Sequence, residues 1–125
     1  MQRIVIAATA VLCLLLSMAR AEARPAGCPA AWCGCWLARH FGLNDKRLWR
    51  AINWARLWGH PARGPAPGVV VVWPHHVGVV TASGSRSGTA VVLSGNDGHG
   101  VRERERSLRG VIAFRAPEKP AFSNF

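Results

Sequence analysis

Val69-Val70-Val71-Val72-Trp73-Pro74-His75-His76-Val77-Gly78-Val79-Val80-Thr81 is the stretch on which the fold turns. Its first part is an unbroken β-branched run, the pattern of a strand buried on both faces. Pro74-His75 reads as a turn. His76 to Thr81 reads as a second strand, and side-chain alternation places His76, Gly78 and Val80 on one face. Ala82 to Gly88 is a Ser/Gly loop suited to a hairpin, and Thr89 to Leu93 a third strand. Gly95-Asn96-Asp97-Gly98 is a strong turn signal. Gly100 to Arg106 predicts a more exposed fourth strand, and Leu108 to Arg115 a fifth.

Upstream of the valines the period changes. Pro29 suits a helix start, where its missing N–H is not needed. Trp32, Cys33, Trp36, Leu37 and His40 form a stripe at helical spacing, so Ala30 to Phe41 predicts a helix, with Gly42 as its stop. Asn44 or Asp45 can cap a second helix running to about Trp58, with Leu48, Ile52 and Ala55 along one side. Gly59-His60-Pro61 ends it, and Ala62 to Gly68 is a short linker. Helices followed by a run of strands give an α+β domain, with N-terminal helices packed on a mostly antiparallel five-stranded sheet.

The chain has 125 residues, which suits one domain. Residues 1–23 have the layout of a secretory signal peptide: a basic start, an apolar run from Ile4 to Met18, and small residues at Ala19, Ala21 and Ala23. The apolar run is shorter than the roughly 20 residues of a membrane span. The expected mature domain covers 24–117, followed by a loose Pro-containing tail over 118–125. Such a protein is periplasmic or secreted, without a membrane anchor after cleavage.

The formal net charge is +10, which favours anionic partners. For an exported protein these are peptidoglycan and other anionic cell-envelope polymers. No nucleic-acid motif accompanies the charge. Arg102, Arg104 and Arg106 alternate with Glu103 and Glu105, the pattern of a solvated strand face.

Cys13 would leave with the signal segment, so the mature part keeps Cys28, Cys33 and Cys35. Two states fit: a Cys28–Cys35 disulfide with Cys33 free, or three thiols. On a helix Cys33 and Cys35 point roughly 200° apart, so they do not share one task. A thiol near a helix start is a candidate nucleophile, because exposed N–H groups there favour its anion. A buried structural thiol is the competing reading. His40 lies about 10 Å along the axis from Cys33 and is out of reach. His76, at the head of a buried strand, is the candidate base. Asn96 is the candidate for holding its ring, with Asp97 in reserve.

The order of these parts resembles the NlpC/P60 and CHAP-like papain-fold cysteine hydrolases, which act on bacterial cell walls. The matching stretches are Trp32-Cys33-Gly34-Cys35-Trp36, Pro67-Gly68-Val69 through Trp73, His76-Val77-Gly78-Val79-Val80, Ser94-Gly95-Asn96, and Gly110 to Arg115. The resemblance implies a papain-like core and a Cys33 nucleophile, with His76 as general base and Asn96 as the orienting residue. It also implies cleavage of amide bonds in peptidoglycan, as amidase or endopeptidase, by a monomer with no cofactor or metal. Trp32 and Gly34 beside the thiol, Val69 after Pro-Gly, and the lack of tyrosine place the chain closer to the CHAP-like side. Trp32, Trp36, Trp73 and His75 are the candidate substrate-binding side chains.

Two other functions compete. One is a catalytically weak or inactive cationic module that binds cell wall or surface, supported by the charge and six tryptophans. The other is a zinc site from Cys28, Cys33, Cys35 and a histidine, although the spacing lacks paired Cys-x2-Cys geometry.

Overall fold

A computed structural model describes residues 23–118. The expected signal segment lies outside the described residues except for Ala23, and the expected tail except for Glu118.

The domain is α+β, with one six-stranded antiparallel sheet rather than the expected five strands. The strands are β1 (His60–Pro61), β2 (Val70–Trp73), β3 (His76–Ser83), β4 (Thr89–Asp97), β5 (Gly100–Ser107) and β6 (Ala113–Ala116). Their order across the sheet is β1-β6-β2-β3-β4-β5. The sixth strand is the short β1, which pairs with β6 where the sequence suggests only a helix end and a linker. The last strand is also shorter than expected. Residues 108–112 instead fold back over the sheet, and Leu108 and Val111 pack on its outer face.

The valine run behaves as its composition requires. Val70, Val71 and Val72 are fully buried, each worth about 1.5–3 kcal/mol of transfer free energy. Val70 and Val72 pair with Val79 and Val77 and face the helices; Val71 pairs with Gly78 on the other side. The sheet is thus dry on both faces along Val70–Val72 and at Val79 and Val80.

Helix α1 spans Cys33–His40. It starts three residues later than Ala30, so Cys33 is its first residue. It ends in a Schellman motif, as Gly42 predicts: Gly42 N–H bonds Arg39 O and Leu43 N–H bonds Ala38 O. Gly42 supplies the required φ of 69°.

The expected second helix is broken. Two 3₁₀ turns, Lys46–Trp49 and Ala51–Asn53, precede a single α-turn, α2 (Trp54–Leu57). Side chains take the carbonyls that an α-helix would use. Trp54 Nε1–H donates to Leu48 O at 2.7 Å, and Asn53 Nδ2 donates to Arg47 O at 2.8 Å. Arg50 is extended (φ −85°, ψ 122°), which separates the two 3₁₀ turns. The Leu48 and Trp49 carbonyls also press on α1. A Cβ on Gly34 would collide with Leu48 O and lie 2.6 Å from Trp49 O. Gly34 therefore permits the close packing that positions α1. Among the described residues no helix is long and apolar enough to cross a membrane.

Candidate active site

Cys28 and Cys35 form a disulfide that closes a loop from the lead segment onto α1, and Cys33 is left as a free thiol. This resolves the two sulfur states in favour of the first. It also takes two of the thiolates that the zinc reading requires. Among the described residues no group of three or more His, Cys, Asp or Glu stands close enough to hold a metal ion.

Cys33 is only 3% exposed. Its side chain lines a cleft of about 510 Å³, together with Ala31, Trp49, Arg50, Pro74 and His75. The thiol faces the head of β3, where Sγ donates to His75 O at 3.9 Å. The Val77 N–H also favours the sulfur anion, as do the N–H groups of Gly34 and Cys33 at the open start of α1. The sulfur thus rests on the backbone on both sides of His76, 42 positions along the chain from His75. Burial outweighs these donors and pushes the thiol above its ordinary pKa.

The His76 side chain belongs to the other face. Trp73 and His76 are register partners, and their rings lie 5.8 Å apart. His76 Nε2 pairs with Ser94 Oγ at 2.9 Å, and Ser94 has no exposed surface. Burial first, then the Arg106 charge, lowers the His76 pKa to about 4, with Asp97 opposing and Arg104 adding a smaller push in the same direction. The resting pair is therefore a neutral thiol and a neutral imidazole. Among the described residues no hydrogen bond joins Cys33 Sγ to the His76 ring.

Asn96 does not hold this ring. Its amide donates to Ala30 O at 3.4 Å, tying the end of β4 to the segment before α1. The physical reason is a bulge between Ser94 and Asp97 that shifts the register against β5. Asn96 sits there at φ 51°, a left-handed conformation that asparagine tolerates. The reversal itself is made by Gly98-His99, at φ 62° and 66°, rather than by Asn96-Asp97. Asp97, the reserve candidate, accepts from Arg104 at 2.7 and 2.8 Å and pairs with Arg106 at 3.2 Å.

The aromatic candidates divide. Trp32 and Trp36 are buried, 4% and 9% exposed. They cover Gly95, where a Cβ would meet Trp36 at 2.8 Å and Trp32 at 2.9 Å. They form core, not a substrate face. Trp73 is half-buried beneath the Arg106 guanidinium, 5.0 Å from its ring centroid, and its N–H donates to Arg109 O. His75 is exposed on the cleft, as a substrate contact requires. His40 stacks on Trp36 at 4.9 Å. The parts played by Ser94, Arg106 and the cleft residues Lys46, Trp49 and Arg50 emerge only in the folded chain. An isolated serine in a strand carries no local signal. The alternating Arg/Glu pattern hides that Arg106 is built into the site's electrostatics.

Models of known protein families, curated proteins and solved structures give no match to this chain.

Proposed function

We propose that the protein is an exported, monomeric cysteine hydrolase with a papain-like arrangement, cutting amide bonds in peptidoglycan. The observation that carries this reading is the seat of Cys33 Sγ on the backbone flanking His76, at the foot of an open cleft. The parts then act in sequence. For Nδ1 to be the base, Nε2 carries the proton and donates to Ser94 Oγ. His76 Nδ1 takes the thiol proton as Sγ attacks the amide carbonyl carbon. The Cys33 N–H, at the open helix start, receives the developing oxyanion. His76 returns the proton to the leaving nitrogen, the C–N bond breaks, and an acyl thioester remains on Cys33. Water attacks the thioester while His76 takes its proton. The carboxylic product leaves and the thiol is restored. Ser94 replaces Asn96 as the residue that orients the ring.

A second reading is favoured by the burial of Cys33 and the raised pKa of its thiol. A thiol held neutral is a weak nucleophile, which fits a catalytically weak or inactive cationic wall-binding module. Turnover of purified cell walls separates the two. The hydrolase reading expects Cys33→Ala to lose roughly a thousandfold or more in rate while still binding walls. Equal release of wall fragments by the two proteins leaves only the binding module.

A further inference from the structure

The cleft over Cys33 carries charge of one sign. Lys46 and Arg50 stand on it beside His75, and among the described residues no carboxylate lines it. Asp45, next to Lys46 in sequence, is held by Arg47 at 2.7 Å. Asp97 is engaged by Arg104 and Arg106, and Glu105 by Ser85 and Thr89. Among the described residues neither Lys46 nor Arg50 is in an ion pair. Lys46 lies over the Trp49 ring, 5.5 Å from its centroid, so an aromatic platform holds one of the cations in place.

The cleft does not end at its rim. Ile52 lines it and also lines an adjoining depression of about 490 Å³, whose other walls include Arg56 and Ile112. Ile52 and Ile112 are two of the most exposed large apolar side chains, at 42% and 49%. Cations beside the thiol and aliphatic surface beyond it match a chain that carries carboxylates on an aliphatic backbone.

We infer that the two depressions form one groove for an extended carboxylate-bearing peptide, with Lys46 and Arg50 selecting a carboxylate next to Cys33. This rests on the reading of Cys33 as the nucleophile of an amide hydrolase. Ile52 and Ile112 provide the apolar floor for the part of the peptide that runs away from the thiol. Lys46 and Arg50 are specificity residues here and take no part in bond cleavage.

The test measures binding apart from turnover. The probe is a fluorescent stem peptide of alanine, γ-linked D-glutamate, diaminopimelate and D-alanine, compared with the same peptide having its carboxylates amidated. Each is titrated by anisotropy into the full chain carrying Cys33→Ser. The free-carboxylate peptide is expected to bind roughly tenfold more tightly, the scale of two partly exposed ion pairs. Lys46→Gln with Arg50→Gln removes that preference. The swap Lys46→Arg with Arg50→Lys keeps it, as does Arg86→Gln in the distant β3–β4 loop. Equal affinity for the two peptides, no binding of either, or a preference that survives the double glutamine variant overturns the inference. Wall turnover by the native chain without a carboxylate preference overturns the inference and leaves the hydrolase. A preference without turnover supports the groove and removes the hydrolase.

Discussion

The two faces of β3 differ in kind. On the helix side, Val77 and Val79 pack with Cys33, Cys35, Leu37 and Trp54 in a dry aliphatic and aromatic core, closed by a disulfide. On the other side, His76 shares its surroundings with Ser94, Trp73, Asp97, Arg104 and Arg106. The thiol comes from the apolar side and the imidazole from the charged side. At the head of the strand the sulfur contacts the peptide groups around His76. The division has an electrostatic consequence. Burial keeps the thiol neutral on the dry side, and burial together with the Arg106 charge keeps the imidazole neutral on the other. A preformed thiolate–imidazolium pair is not the resting state, so in the proposed hydrolase proton transfer belongs to the chemical step.

The helix side breaks most sharply at Gly34. Gly34→Ala drives a Cβ into the Leu48 and Trp49 carbonyls. Backbone must move, at a cost of about 3 kcal/mol. Chemical denaturation should show a loss of that order, while a melting curve like the native one would mean that α1 has room to spare.

The charged side is sharpened by comparing Ser94 with Asn96. Ser94→Ala leaves His76 Nε2 without its partner in a buried site. A stability loss of about 1–2 kcal/mol is expected, with a fall in turnover of roughly 10–100-fold. Asn96→Ala removes one 3.4 Å bond and puts alanine at a left-handed φ. It should cost about 1 kcal/mol and leave turnover per folded molecule within about twofold. The reverse ranking in turnover would return the orienting role to Asn96.

The amino-acid sequence alone shows what local pattern controls. The valine run, the Pro74-His75 turn, the α+β order and the stop at Gly42 all follow from nearest neighbours along the chain. The break at 45–58 does not, because it depends on Trp54 and Asn53 reaching back to carbonyls and on α1 pressing against them. Ser94 was hidden for a related reason. Strand alternation gives its face only once the register is known, and the bulge at Asn96 sets which polar residue meets His76. Arg106 looked like one of several solvated arginines. Its role needs Trp73 and Asp97, which lie far from it in sequence. The tryptophans show the limit of composition as a guide. Trp32 and Trp36 build core, while Trp49, in a segment read as an ordinary helix, lines the cleft.

The pH dependence of Cys33 alkylation tests the pairing of thiol and imidazole most directly. His76 loses its proton near pH 4, and the thiol titrates above the ordinary thiol range. Below pH 4 the imidazole is charged and cannot accept a proton; above it, the neutral ring can accept the thiol proton as Sγ attacks the iodoacetamide carbon. The iodoacetamide rate of the native chain should therefore rise in two steps, one with its midpoint about 4 and one in the alkaline range. His76→Ala should keep only the alkaline step. Superimposable profiles from the two proteins, with no step near pH 4, would contradict the account.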